Sequence, residues 1–147
     1  MVYVIEIKDR DQDGASALSL TKLLTVIEPD VSHLSWAIFS LWTTGDLKGG
    51  KSILSLERGI QEAPKGLEMS WKDLCSLAAD LWQVVDGVFV GCQDKATIPD
   101  RSVEDPCILC DIVVEMVDSS YWEICSPNKQ LMERFSKRFL DVVMYSQ

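Results

Sequence analysis

The chain has 147 residues, with 23 acidic against 14 basic side chains and a net charge of −9, so that its pI is about 4.5. That length suits one domain with a real core, and 47% hydrophobic residues with a mean hydropathy of +0.06 exclude a disordered acidic tail. No apolar run reaches the ~18 residues that span a bilayer, no cationic leader precedes an apolar stretch, and Lys and Arg are too few to neutralise duplex phosphates, which predicts a cytoplasmic protein with no membrane and no nucleic-acid partner.

Val2 to Lys8 is a short run rich in β-branched residues and reads as a first strand. Leu18, Leu20, Leu23, Leu24 and Ile27 recur at helical spacing, and Pro29 is expected to stop that helix. Leu34 to Thr44 reads as a strand, ended by the Gly-rich stretch GDLKGGK. Ile53, Leu56 and Ile60 mark a short helix with Ser52 at its cap, closed by Pro64 and Gly66. Ser70 caps a longer helix with Asp73 three residues on, and Leu74, Leu77, Ala78 and Leu81 form its apolar face.

Val84 to Cys92 reads as a strand, 93–106 as a polar loop, and Cys107 to Val117 as another strand. Asp118, Ser119 and Ser120 make a tight turn into a partner strand, Tyr121 to Cys125. Ser126 then caps, Pro127 takes the first helical position, and Leu131, Phe135, Phe139 and Val142 line a last helix. The order departs from regular β-α alternation and ends in closely spaced strands. It predicts a single α+β domain, an antiparallel sheet of about five strands with helices packed against it.

Four patterns carry a chemical reading. Gly45 to Ser52 fits G-x-x-x-x-G-K-[ST], in which Gly45 and Gly50 would let the backbone wrap phosphates, Lys51 would reach β/γ oxygens and Ser52 would hold magnesium. A P-loop needs parallel strands, whereas the best second strand runs into a tight hairpin, and Asp46 puts an acid inside the loop. A structural turn is therefore preferred, with a P-loop-type nucleotide-binding enzyme as the alternative. Asp9, Asp11 and Asp13 before Gly14 resemble the opening of a calcium loop, but its twelfth position is Leu20 rather than Glu. Cys107 and Cys110 have CxxC spacing; placed in a strand they would point to opposite faces, and no second CxxC exists, so zinc is not expected. Five cysteines leave at least one unpaired, which predicts reduced, inert thiols. His33 is the only histidine, and no nucleophile signature accompanies it, so no catalytic residue and no cofactor are assigned.

The charge is unevenly placed. From Asp73 to Glu123 there are eleven acids against two bases, Lys95 and Arg101, and the rest of the chain is neutral. Strand alternation sets Asp111 and Glu115 on one face, with Ile112, Val114 and Met116 on the other, and sets Glu123 against Trp122 and Ile124. One sheet face is thus expected to show carboxylates, joined by Asp86 and by Asp94, Asp100, Glu104 and Asp105 from the adjoining loop. Solubility charge is the bland explanation. Of the five tryptophans most are expected in the core, and Trp42, beside the Gly-rich turn, is the candidate for an exposed anchor.

The segments LSWAIFSLWTTGDL, WQVVDGVFVGC and VDSSYWEICS resemble those of small, acidic α+β bacterial proteins, some of them immunity proteins that neutralise a toxin. The resemblance covers roughly 34–126 and implies a cytosolic, non-enzymatic binder whose acidic surface engages a basic toxin such as a nuclease. It transfers no site residues.

Overall fold

The computed structural model describes residues 1–10 and 18–147. Seven strands form one sheet: β1 (Tyr3–Ile7), β2 (Ser35–Gly45), β3 (Leu67–Met69), β4 (Leu81–Cys92), β5 (Ile112–Val117), β6 (Tyr121–Ser126) and β7 (Val142–Ser146), in the spatial order β3-β2-β4-β5-β6-β1-β7. Every neighbouring pair is antiparallel. The helices are α1 (Leu20–Val31), α2 (Ile53–Glu62), α3 (Trp71–Asp80), the single turn α4 (Pro106–Leu109) and α5 (Lys129–Ser136). The fold is α+β and antiparallel, as the strand spacing predicts.

Alternation along the strands splits the sheet into two faces. Ile5, Ile7, Trp36, Ile38, Phe89, Ile112, Val114, Met116, Trp122 and Ile124 point inward and pack against Leu23, Leu24 and Ile27 of α1, Leu74 of α3 and Phe135 of α5. The outer face carries a smaller cluster at one end: Val4, Ala37, Phe39, Val90, Cys92, Val113 and Cys125, with Ile98 and Cys110 from the segment that follows β4. Arg101 anchors that segment, donating from Nη2 to the Gln61 carbonyl at 2.7 Å, while its own N–H donates to the Pro64 carbonyl at 2.8 Å.

Several expectations need correction. Residues 106–109 are a helical turn and not the start of a strand; the Asp105 carboxylate accepts the Cys107 N–H at 3.2 Å and Pro106 presets the first helical φ. The same signature fails at Ser126-Pro127. The Ser126 hydroxyl donates to the Asp111 carbonyl at 2.7 Å, and Asn128 caps α5 instead, accepting from the Leu131 N–H at 3.0 Å. The last helix ends at Ser136, and Val142 belongs to β7, where the β-prone VVMYS run pairs with the free edge of β1. Leu131, Phe135 and Phe139 do all reach the core, so the spacing located burial but not the end of the helix. Pro29 lies in the last turn of α1; Thr25, whose carbonyl loses its donor there, is exposed. The chain is also not fully reduced: Cys107 and Cys125 form a disulfide, leaving Cys75, Cys92 and Cys110 free. Asp11, Asp13 and Gly14 of the calcium-like run lie outside the described residues.

Candidate functional site

The cross-strand register builds the outer face as rows. One row is apolar and crosses five strands: Ala37 opposite Val90, Val90 opposite Val113, Val113 opposite Cys125, and Cys125 opposite Val4. The next row, two residues further along each strand, runs from Val88 to Glu115, Glu123 and Glu6, and ends at Val143. Three glutamates on three adjacent strands therefore stand directly opposite one another. Side chains so placed have Cβ atoms about 4.5–5.5 Å apart, and like charges in that position destabilise a sheet.

The electrostatics record this crowding. Burial, and secondarily Asp86, pushes the Glu115 carboxyl above the ordinary glutamate value. Burial, then Glu115 and Glu6, does the same to Glu123. Lys8 pairs with Glu6 at 3.3 Å, whereas Asp86, Glu115 and Glu123 form no ion pair among the described residues. Tyr145 donates its hydroxyl to Glu6 Oε1 at 3.2 Å, and burial followed by Glu123 and Glu6 pushes its phenol up to about 12. At the other end Asp86 lies opposite Trp42 in the β2–β4 ladder, and Trp42 is 60% exposed. Anionic groups flanked by aromatic rings suit Lys and Arg side chains, which gain both ion pairs and cation–π contact.

Of the residues singled out from the sequence, Asp86, Glu115, Glu123 and Trp42 share this face. The loop carboxylates are engaged in local turns. Asp94 accepts the Ala96 N–H at 2.9 Å, Asp100 accepts the N–H and hydroxyl of Ser102 at 2.9 and 2.7 Å, and Asp105 caps α4. Asp111 accepts the Gln93 N–H at 2.6 Å from a position just before β5. Glu104 is exposed in the loop. Sequence reasoning missed Glu6, which lies outside the acidic third of the chain. Its signal was present: it is the one charge between the two core residues Ile5 and Ile7.

Most residues of the Gly-rich segment have a structural account. A Cβ on Gly45 would sit 2.5 Å from the Asp80 carbonyl oxygen, so the close crossing requires glycine. Gly49 and Gly50 have φ of 75° and 73°. Ser52 caps α2, accepting the Ser55 N–H at 3.0 Å. The Asp80 carboxylate accepts the Lys48 N–H at 3.2 Å and pairs with its ammonium at 3.7 Å, so an acid of the chain itself occupies this loop. Lys51 and Ser52 line an open cavity of about 760 Å³ together with Asp73 and Asp80. Lys51→Ala is expected to leave any biochemical activity and the thermal stability unchanged. Magnesium-dependent ATP or GTP binding that disappears in this variant, read by isothermal titration, would overturn that expectation.

Among the described residues no group of three or more His, Cys, Asp or Glu side chains is placed to hold a metal ion, and His33 is exposed in the turn before β2. No family model, curated protein or solved structure matches the chain.

Proposed function

We propose that the chain is a non-enzymatic binding module whose outer sheet face, centred on Glu115, Glu123 and Glu6 and extended by Asp86 and Trp42, receives a basic protein partner of the kind a nuclease toxin represents. The observation that carries this reading is the register of three opposed glutamates. Charge needed only for solubility is spread apart, because spreading lowers its self-repulsion. Here the chain holds like charges side by side on rigid strands and keeps them half-buried, an arrangement that costs stability unless cations from elsewhere complete it. The nucleotide alternative finds less support, since both neighbours of β2 are antiparallel and Asp80 already fills the Gly-rich loop with negative charge.

An anionic face of this kind steers a cationic partner and raises its association rate at low salt. The test takes a basic protein captured on the immobilised chain and identified by mass spectrometry, then measures association rates across ionic strength. Glu115→Lys combined with Glu123→Lys is expected to slow association ~10-fold or more at low salt and to flatten its salt dependence. Circular dichroism should show an unchanged fold. Association at the wild-type rate at low salt would overturn the proposal.

A further inference from the structure

Four of the five cysteines gather in the outer-face cluster from separate positions: Cys92 at the end of β4, Cys107 and Cys110 three residues apart at the helical turn α4, and Cys125 in β6. Cys107 and Cys125 are already joined. Cys92 and Cys110 are free and buried in the same cluster, and the Asp111 N–H donates to the Gly91 carbonyl at 3.1 Å, which brings the chain on either side of the two thiols together. They also flank residues 93–109, the segment that bears Asp94, Asp100, Glu104 and Asp105. We propose that Cys92 and Cys110 are a second, closable disulfide site, which a small peroxide oxidises and which then ties the two ends of this acidic loop together.

The two thiols are unequally prepared for that step. The Cys110 side chain above all, with smaller contributions from the Asp111 N–H and Thr97 and against burial and the Asp111 charge, holds the Cys92 thiol below the ordinary thiol value. Cys110 is pushed the other way by the neighbouring Cys92 side chain and by burial. The Cys92 thiolate attacks one oxygen of hydrogen peroxide, the O–O bond breaks, and hydroxide leaves. The Cys110 sulfur then attacks the resulting sulfenic sulfur, an S–S bond forms, and the sulfenic oxygen departs with the Cys110 proton as water. The first hydroxide takes up the proton that Cys92 had released. Two thiols lose two electrons in total, and one peroxide becomes two waters. Burial and the nearby Glu28 push the Cys75 thiol up, and no second cysteine lies in its cluster to close a bond with it. Closure shortens the free loop in the unfolded chain, and the folded loop gains resistance to opening.

The test treats the intact folded chain with hydrogen peroxide, quenches it, and alkylates free thiols after unfolding. The expected result is a fall from three alkylated cysteines to one, Cys75, with a peptide linking Cys92 to Cys110 in a non-reducing digest. Cleavage within 93–109 by a protease should slow several-fold after treatment in the wild type, and not in Cys92→Ser. The wild-type measurement decides even where that variant folds poorly. The proposal fails if no Cys92–Cys110 peptide forms and both thiols remain or advance to sulfinic acid. It also fails if the new link joins Cys110 to Cys107. Stoichiometric zinc on the reduced chain, lost in Cys110→Ser, would likewise overturn it by making the four sulfurs a metal site.

Discussion

Trp122→Ala is expected to cost about 3–5 kcal/mol, a large share of the ~5–15 kcal/mol that holds a domain together. The indole is 1% exposed on the inner face, and its Nε1 donates to the Leu18 carbonyl at 2.6 Å. Truncation therefore opens a cavity and also removes the donor that the indole supplies at the entry to α1. The consequence reaches the opposite face. Trp122 and Ile124, both inward, are what force Glu123 outward, because a slip of one residue would exchange the two faces of β6. Urea denaturation followed by circular dichroism measures the loss; a change below about 1 kcal/mol would mean that β6 is not held by this side chain. Trp122→Phe should cost less, since most of the ring volume remains.

Glu115→Gln together with Glu123→Gln should act in the other direction and stabilise the fold by about 1–2 kcal/mol at neutral pH, from two relieved contacts of about 0.5–1 kcal/mol each. The pH dependence gives the sign independently. Both carboxyls are raised in the folded chain above the ordinary value of 4.5, so the folded state holds its protons more tightly than the unfolded state. Their penalty is absent below pH 4.5, grows as pH rises through the raised folded values, and is fully present above them. The wild type should thus lose stability relative to the double variant across that window, and the two should converge below it. Thermal melts at several pH values test this. A double variant no more stable than the wild type at pH 7 would show that the glutamates do not oppose one another.

These two expectations concern adjacent residues, and they mark where the sequence was readable. Strand alternation placed Trp122 inside and Glu123 outside from local pattern alone. Pattern within one strand says nothing about which strands become neighbours, however, so Glu6 went unnoticed although β1 was correctly expected as a strand. Its acid acquires meaning only through pairing with β6, more than a hundred residues away along the chain. The same limit explains the cysteines. Local spacing suggested that Cys107 and Cys110 diverge, but the Asp105 cap and Pro106 turn that stretch into a helix, and β6 brings Cys125 alongside. Loop acids such as Asp94 and Asp100 were counted as surface charge. Both are exposed, and their carboxylates also close turns, a use that net charge cannot distinguish. Trp42 is legible as a candidate for exposure because it lies beside the Gly-rich turn, and it is 60% exposed, whereas Trp82, 74% exposed, carries no comparable signal.

The two unlike rows of the outer face also set how the sheet opens. Where Val90, Val113 and Cys125 lie, the strands are covered on both sides, by the helices beneath and by the cysteine-bearing segment above. Two residues further on, at Glu115 and Glu123, only the helical side is covered and water reaches the other. Backbone amides of β4, β5 and β6 should therefore exchange with deuterium on a gradient along each strand, slowest near Cys92, Ile112 and Cys125 and faster toward Gly87, Met116 and Tyr121. Fraying would begin at the hairpin of Asp118 and Ser119, at the anionic end of the sheet. A cationic partner seated there would clamp the very end that opens first, so its arrival should register as slowed exchange at the hairpin rather than across the whole chain.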